Sequence, residues 1–422
     1  MTTTTAPAAP VEPLPEPPPR PRHPIALPHF RNRWVGATIS LLGDQFYLVA
    51  LPWLVLQLTG SSLALGTILM TAAIPRAALM LVGGAVIDRF SARRVIMATA
   101  TTRALLVGTV AALIWLGAIQ LWHLYLLTLA FGIADAFSFP AGPALIPTLV
   151  EPRQLQQANA MLQSSAVTAQ MIAPAPAGLV IRRWGVSSAL FFDALSFLAV
   201  LAAVIKLPSP PKAVPPPAGA PPRPSMLHAI AEGLRTVWHD PPLRSLMGIF
   251  ALLNLCVAGP IGVGLAAMAK FRFGSAAAFG TFLACFGGGT FVGVALAGMV
   301  KRPRKRGLQI LLMGFLTGLE LVAIGLLLRA LAIGALMALM GLGVGFVNVQ
   351  FGAWIQTRVD RSLLGRVASV LMLCAVGLVP VSYALAGVLA QWSFAALFVG
   401  AGALLAATSA LAAAGKATRE ID

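Results

Sequence analysis

The chain has 422 residues, of which 58% are hydrophobic and only 10% are charged, and its formal net charge is +17. Ordinary soluble domains carry roughly 25% charged residues, so a water-soluble fold of this length would leave too much apolar surface uncovered. The basic residues stand in short clusters between apolar runs. That pattern excludes a nucleic-acid-binding domain and is typical of loops that face an anionic membrane surface.

Two segments are rich in proline, residues 6–28 and residues 207–224. Proline removes backbone donors and favours extended, solvated chain. We therefore expect residues 1–33 to form a disordered tail without a cleavable signal peptide, and residues 207–243 to link two halves of the protein. The linker also contains an apolar helical periodicity, which predicts an amphipathic helix along the membrane surface or against the loops beneath it, carried by Leu227, Ile230, Ala231 and Leu234.

The rest of the chain resolves into apolar runs long enough to cross ~30 Å of hydrocarbon at ~1.5 Å per residue. The sequence therefore predicts an all-α integral membrane protein with twelve transmembrane helices. These form two six-helix units, residues 34–206 and 244–415, followed by a short tail, residues 416–422. The predicted spans are 34–57, 63–87, 95–118, 122–147, 156–181, 187–206, 244–268, 274–299, 307–329, 331–357, 364–390 and 393–415.

The distribution of Lys and Arg predicts the orientation of these helices. An even number of spans places both termini on one side, and the tails and even-numbered loops carry most of the basic residues. By the positive-inside rule, we expect both termini in the cytoplasm and the protein in the inner (plasma) membrane. The odd-numbered loops carry only Arg182, Arg183, Lys270, Arg272 and Arg329.

The most specific motif stands at the end of the second span and comprises Gly84, Asp88, Arg89, Arg93 and Arg94. Gly84 allows a neighbouring helix to approach closely, and Asp88 at the membrane edge can face a helix N-terminus and pair with arginines. Such a charge cluster can hold one conformation and release it, which a gate requires. The alternative, that these residues are positive-inside anchors, explains the arginines but neither Gly84 nor Asp88.

This motif resembles G-x-x-x-D-R-x-x-R-R, which major facilitator transporters carry between their second and third helices. The resemblance extends over nearly the whole chain beyond the N-terminal tail. Within the family, the chain resembles the drug/proton antiporter branch, which holds macrolide-efflux and enterobactin-exporter-like proteins. Further residues that carry it are Leu42-Gly43-Asp44, Leu51-Pro52-Trp53, Pro140-Ala141, Ile146-Pro147, Ala158-Asn159-Ala160, Asp193-Ala194-Leu195-Ser196-Phe197, Glu232-Gly233-Leu234-Arg235, Trp354-Ile355-Gln356 and Gly365-Arg366-Val367.

The resemblance implies two six-helix pseudo-repeat bundles, alternating access, a small-molecule substrate and a monomer. Exporters of this type often carry a Gly-Pro pair in the fifth helix. Here Ala173 precedes Pro174, and Pro176 and Gly178 follow. Two prolines still interrupt the helical hydrogen bonds, so we expect a hinge at this point.

Four acidic residues fall inside the predicted spans, where an unpaired charge costs several kcal/mol. The resemblance places helices 6 and 9 at the periphery, so packing roles are expected for Asp193 and Glu320. Asp44 in helix 1 and Asp135 in helix 4 would line the cavity, and both lie ~15–18 Å from a helix end, near the bilayer midplane. Arg76 lies at a similar depth. We hypothesise that Asp44 or Asp135 carries a coupling proton and that Arg76 tunes it. The alternative is a structural salt bridge.

Other polar side chains within the spans either line a substrate path or hydrogen-bond a neighbouring helix. Such a hydrogen bond stabilises a membrane protein by ~0.6 kcal/mol or a little more. The chain has no phosphate-binding loop motif and no histidine within an apolar run, so we expect neither an enzyme nor a cofactor. The cysteines lack metal-ligand spacing, so no metal site is expected. The polar candidates are Gln45, Gln170, Asn254, Asn348 and Gln350, and the cysteines are Cys256, Cys285 and Cys374.

Three functions are compatible with the sequence. The favoured one is proton-coupled export of a small amphipathic or apolar compound, such as a drug, a siderophore or a metabolite. Uptake or lysolipid movement by the same fold is a second. A membrane sensor or scaffold without transport is a third, although a scaffold need not keep costly buried charges.

Overall fold

The computed structural model describes residues 23–207, 226–300, 306–360 and 363–414. All regular structure within these residues is helical. Eleven helices are long and apolar enough to cross a membrane, and one bent helix pair brings the number to twelve. The predicted all-α membrane protein with twelve spans is therefore confirmed. Most of the two proline-rich segments lies outside the described residues.

We number the twelve spans α1 to α12, and each coincides with one predicted apolar run. The first bundle consists of α1 Pro28–Thr59, α2 Ser62–Phe90, α3 Ala92–Trp115, α4 Leu121–Leu145, α5a Leu155–Ile172 with α5b Pro174–Trp184, and α6 Val186–Ile205. The second consists of α7 Pro241–Phe271, α8 Ala276–Met299, α9 Arg306–Leu326, α10 Ala330–Arg358, α11a Leu364–Val376 with α11b Val379–Trp392, and α12 Phe394–Ala414.

Helix pairing repeats with a shift of six helices. In the first bundle α2 packs on α4, α3 on α6 and on α4, and α1 on α6. In the second bundle α8 packs on α10, α9 on α12 and on α10, and α7 on α12. The two bundles meet where α2 contacts α11 and where α5 contacts α8, which are again equivalent pairs. The fold is therefore two copies of one six-helix arrangement related by a pseudo-twofold axis.

The first hairpin of each bundle is closed by the same local chemistry. Gly60 follows α1 with φ +62°, and Gly274 follows α7 with φ +59°, a left-handed conformation that favours glycine. The next residue is a serine in both cases. The hydroxyl oxygen of Ser61 accepts a hydrogen bond from an α2 amide at 3.2 Å, and that of Ser275 accepts from an α8 amide at 3.3 Å. Each serine therefore caps the second helix of its hairpin.

The fifth span bends by 42° between its two halves. Pro174 begins the second half and has no amide hydrogen, so the carbonyl of Gln170 loses its helical donor. Gly287 of α8 packs against that carbonyl, since a Cβ atom there would overlap the Gln170 backbone. Gly178 does not lie at the bend. It packs instead against the backbone of Ala276 on α8.

Contacts between the bundles are found on the side of the odd-numbered loops, which we call the odd-loop side. Near the odd-loop ends of α7 and α1, the ammonium of Lys270 on α7 lies 4.7 Å from the ring centroid of Trp53 on α1. Gly66 of α2 packs against the backbone of α11 at Tyr383 and Gly387. The bundles are thus joined from the middle of the membrane to the odd-loop side.

The helix Met226–His239, the linker helix, is attached to the second bundle. Glu232 forms an ion pair with Arg366 of α11a. Asp240, directly after the helix, accepts hydrogen bonds of 2.9 and 3.2 Å from Arg358 of α10. Val237 is buried in a cluster with residues of α7, α10 and α11a. A helix therefore forms at the predicted place and packs against the ends of the transmembrane helices through Gly233 and Val237. Ala231 and Leu234 of the predicted apolar face are exposed instead.

Candidate functional site

Four helices of the first bundle bring charged side chains together near their midpoints. Nη2 of Arg103 on α3 donates to Oδ1 of Asp44 on α1 at 2.8 Å, and it lies 3.8 Å from Oδ1 of Asp135 on α4. Nη1 of Arg76 on α2 lies 3.4 Å from Oδ2 of Asp135. The structure therefore brings the three predicted residues Asp44, Arg76 and Asp135 together, but Arg103 stands at their centre.

Two aromatic rings hold the guanidinium of Arg103. Its Cζ lies 4.7 Å from the ring centroid of Phe131 on α4 and 4.5 Å from that of Phe197 on α6. Cation–π contacts of this kind contribute about 2 kcal/mol when they are desolvated, and the Arg103 side chain is only 12% exposed. Tyr47 stacks on Phe131 at 4.6 Å and supports that ring. The rings keep the guanidinium within reach of both carboxylates.

Asp193 of α6 adds a third carboxylate beside this group. Its side chain is fully buried, and it is close enough to Asp44 and Arg103 to interact with both charges. The hydroxyl of Ser196 donates to the backbone carbonyl of Asp193 at 2.7 Å and lies 3.4 Å from Oδ1, whereas Oδ2 has no hydrogen-bond partner in the described part of the chain. Gly43 of α1 permits the close approach, because a Cβ atom there would lie 2.8 Å from Oδ1.

We call these five residues, Asp44, Arg76, Arg103, Asp135 and Asp193, the charge cluster. Two of its members were not predicted as site residues. The hypothesis named Arg76 as the arginine that tunes the acids, but Arg103 also points inward, and its depth of ~16 Å into α3 was the available signal. Asp193 was expected at the periphery, yet one face of α6 packs on α1 and carries this side chain inward. With three acids and two arginines, the cluster has one acid in excess.

A cavity of about 540 Å³ reaches the charge cluster. It extends from Arg33 near the start of α1 and Asn159 near the start of α5a to Asp44 and Arg103. Its wall combines apolar groups such as Phe139 with hydroxyl and amide groups. This volume lies within the ~300–1,000 Å³ typical of small-molecule sites. The cavity can therefore hold a compound of mixed polarity against a buried charge.

The predicted gating motif is described only in part. The surroundings of Gly84 and the side chain of Asp88 lie outside what the structure describes. Arg93 donates to the last carbonyls of α6, from Nε to Val204 O at 3.2 Å and from Nη2 to Ile205 O at 2.9 Å. The C-terminus of α6 is the negative end of the helix dipole, so it also stabilises a cation at this place. Arg93 thus fastens the start of α3 to the end of α6, while Arg89 and Arg94 are exposed.

The predicted polar candidates occupy different environments. Gln45 and Gln350 are buried. Gln170 and Asn348 are exposed. The amide of Asn254 donates to the carbonyl of Phe250 in its own helix at 2.9 Å. None of the five lines the cavity beside the charge cluster as described here.

Comparisons with known proteins agree with this architecture. The chain is 27% identical over 385 residues to the multidrug efflux pump Tap of Mycolicibacterium fortuitum, covering 88% of this chain and 90% of the relative. It is 24% identical over 351 residues to macrolide efflux protein A of Streptococcus pyogenes, covering 81% and 84%. The fold matches the crystal structure of a bacterial homologue of the iron transporter ferroportin in an inward-facing state, with a TM-score of 0.68, 18% identity and coverage of 92% and 99%.

The family profile matches most of the transmembrane region. Residues 33–381 fit the Major Facilitator Superfamily. Proteins of this family are multi-pass membrane transporters of small molecules, and both curated relatives above are named for efflux. The chain therefore belongs to the Major Facilitator Superfamily.

Proposed function

We propose that this transporter exports a small amphipathic or apolar compound in exchange for protons, and that the charge cluster couples the two movements. The observation that carries the proposal is the position of Arg103, which lies within 2.8 Å of Asp44 and 3.8 Å of Asp135 at the end of a cavity. One guanidinium shared by two carboxylates on different helices can change partner when either acid binds a proton.

The coupling step follows from the charge balance. With all five groups ionised, the cluster has one negative charge in excess, which is costly in a buried site and favours uptake of one proton. A proton on Asp44 weakens its bond to Arg103, and the guanidinium then moves toward Asp135. Because Asp44 and Asp135 lie on α1 and α4, this exchange changes how the two helices are held together. A bound cationic or polar group that enters the cavity competes for the same carboxylates.

The contacts between the bundles support a mechanism of alternating access. The contacts of Lys270 with Trp53 and of Gly66 with α11 close the odd-loop side, while the cavity opens toward the ends where α1 and α5a begin. With both termini in the cytoplasm, this arrangement corresponds to an inward-facing state in the inner membrane. The motif from Gly84 to Arg94 would then form the cytoplasmic gate, and the bend at Pro174 and Pro176 would serve as a hinge against α8.

Export, rather than uptake, is favoured by the efflux function named for both curated relatives. One relative is named for multiple drugs and the other for macrolides, which combine apolar surface with polar groups. The mixed lining of the cavity near Phe139 suits compounds of that kind. A siderophore or a secondary metabolite of similar polarity fits equally. We propose that the working unit is a monomer, since one chain supplies both bundles and the whole cavity.

Proteoliposomes test the coupling. Purified protein is reconstituted with the pH indicator pyranine inside, and a macrolide or ethidium is added under an imposed pH gradient. The wild type should move protons and compound in opposite directions, and Asp44→Asn and Asp135→Asn should each lose gradient-driven transport. Glu320→Gln is the matched control, because Glu320 is a membrane-embedded acid on α9 outside the charge cluster.

Three results would contradict the proposal in different ways. Full coupling in both Asp44→Asn and Asp135→Asn would remove the cluster from the mechanism. Transport that ignores the pH gradient in the wild type would show a facilitator of the same fold. Failure to transport any compound in a broad screen, together with normal folding, would favour the sensor or scaffold.

A further inference from the structure

A deep apolar groove lies on the outside of the first bundle between α3 and α6. Its volume is about 750 Å³. The floor is made of small residues, including Gly108 of α3 and Ala194 of α6. Gly108 leaves open space in the groove, because the one atom within 4 Å of a Cβ placed there is Cβ of Ala194, at 3.9 Å. A larger residue at this position would make the groove shallower. We call it the α3–α6 groove; its larger lining residues are Leu105, Trp115, Trp184, Phe191, Phe192 and Leu198.

The α3–α6 groove has the length of one membrane leaflet. On α3 it runs from Ala104 to Trp115, the last residue of the helix. Eleven helical steps correspond to ~16 Å, about half of the ~30 Å hydrocarbon core. Trp115 and Trp184 at the odd-loop end are 82% and 62% exposed, as expected for side chains at the membrane interface. The groove thus reaches from the headgroup level to the midplane.

The surroundings of the groove determine what can fill it. Leu105, Phe191 and Leu198 are all more than half exposed in the protein alone, so the groove opens toward the hydrocarbon. The hydroxyl of Ser188 is satisfied within the protein, since it donates to the carbonyl of Trp184 at 2.9 Å. An apolar chain is therefore the group that the groove itself accepts.

Two cations stand next in sequence to Trp184, which lines the odd-loop end of the groove. Arg182 and Arg183 directly precede Trp184, and both are exposed. Leu179 lies one helical turn before Arg183 and is 56% exposed, so this face of α5b meets lipid and Arg183 lies at the headgroup level. Basic residues are scarce in the odd-numbered loops. Adjacent arginines beside a lipid-facing groove attract an anionic headgroup.

We propose that the α3–α6 groove is a binding site for an anionic phospholipid of this leaflet, with one acyl chain in the groove and the phosphate at Arg183. A second copy of the chain is a poorer occupant. A twofold contact through this face would bring Arg182 and Arg183 of both copies to the same end, where like charges repel. The leaflet meant here is the one on the odd-loop side, whichever side of the membrane the cytoplasm is on.

The occupant would lie against the two helices that carry the centre of the charge cluster. Ala104 of the groove follows Arg103 directly, and Phe192 precedes Asp193. Phe192 also packs against Phe46 of α1, with ring centroids 6.0 Å apart. A lipid chain in the groove therefore fixes the spacing of α3 and α6. An effect of this lipid on proton-coupled export rests on the proposed function; binding of the lipid does not.

Native mass spectrometry of the full-length protein in detergent tests the binding directly. The protein is titrated with phosphatidylglycerol and, separately, with phosphatidylcholine. The wild type should retain one phosphatidylglycerol about ten-fold more tightly than phosphatidylcholine. Gly108→Leu fills the groove and should abolish this retention. Arg183→Gln should bring the two lipids to equal affinity.

Matched variants separate the groove from general effects on lipid binding. Gly400→Leu adds the same side chain at an exposed glycine of α12 that has nothing within 4 Å of its Cβ position. Arg329→Gln removes a cation from another odd-numbered loop. Both should bind phosphatidylglycerol like the wild type. If Gly108→Leu does not fold, Ala112→Leu, at an exposed position of the same groove, replaces it.

The proposal is overturned if folded Gly108→Leu or Ala112→Leu retains the lipid, or if the wild type binds both lipids equally. A dimer that either variant converts to a monomer would assign the groove to a second copy instead. A wild-type protein that retains the lipid but exports no compound would count against the proposed function alone.

Discussion

One nitrogen atom, Nη2 of Arg103, lies 2.8 Å from a carboxylate oxygen of Asp44 and 3.8 Å from one of Asp135. The shorter distance is a hydrogen bond, and the longer one is an ion pair without a hydrogen bond. The two acids are on different helices, α1 and α4, and the arginine is on a third. Of the two carboxylates, Arg103 therefore binds Asp44 of α1 more tightly than Asp135 of α4 in this conformation.

Replacing Arg103 with glutamine should therefore be the most damaging single change in the charge cluster. It leaves the carboxylate of Asp44, which is 27% exposed, without its closest cation, which costs up to about 3 kcal/mol. We expect a lower apparent Tm in a detergent unfolding assay and loss of gradient-driven export. Arg76→Gln should be milder, because the Arg76 side chain is 44% exposed and lies 3.4 Å from Asp135.

The double variant Arg103→Gln/Asp44→Asn separates stability from coupling. Removing both partners leaves no unpaired charge in this pair, so much of the lost Tm should return. Export should not return, since the carboxylate that takes the proton is missing. Recovery of export in the double variant would mean that the pair is only a structural salt bridge.

The contact of α5 with α8 predicts a strong difference between neighbouring glycines. A Cβ atom at Gly287 would overlap the backbone of Gln170, whereas one at Gly288 would lie an ordinary 3.7 Å from the side chain of Met171. Because a backbone cannot move aside as a side chain can, Gly287→Ala should cost about 1–3 kcal/mol and reduce export. Gly288→Ala is the control and should behave like the wild type in Tm and in transport rate. Equal effects of the two substitutions would show that the bundles are not packed closely here during transport.

The overall fold was predictable from the sequence because the membrane demands it. Every backbone group in hydrocarbon must be paired, so each long apolar run becomes a helix. The bend in the fifth span was predictable for a similarly local reason, since Pro174 cannot donate to Gln170. The role of Gly178 was not, because its neighbour Ala276 lies on a helix of the other bundle.

The composition of the charge cluster was predictable only in part. In a soluble helix, the apolar stripe shows which face turns inward. A membrane helix is apolar on every face, so the sequence gives depth but not direction. Depth alone placed Asp44, Arg76 and Asp135 in one plane, and Arg103 shares that plane. The inward position of Asp193 depends on the close packing of α6 at Gly43, which only the three-dimensional arrangement reveals.

The cation–π contact between Lys270 and Trp53 predicts a gate on the odd-loop side. Lys270→Gln removes an attraction of about 1 kcal/mol between α7 and α1, which corresponds to an about five-fold shift away from the closed odd-loop side. Distances between spin labels at the odd-loop ends of α1 and α7 report that population. Arg272→Gln is the matched control, since Arg272 lies over Phe394, 5.4 Å from its centroid, in its own bundle. A distance distribution that is unchanged in Lys270→Gln would exclude this contact as part of the gate.

The ion pair of Glu232 with Arg366 predicts that the linker helix moves with the second bundle. Both side chains are about one-third exposed, so the pair contributes up to about 1 kcal/mol, and either Glu232→Arg or Arg366→Glu alone places like charges together. Each single variant should release the linker helix, which faster amide hydrogen exchange at Gly233 to Val237 would reveal. The charge swap Glu232→Arg/Arg366→Glu should restore slow exchange, because it rebuilds the pair in reverse. Arg235→Gln, at an exposed position of the same helix, is the control and should leave exchange unchanged. If the swap exchanges as fast as the single variants, the packing of Gly233 against the Arg366 backbone, rather than the ion pair, holds the linker helix in place.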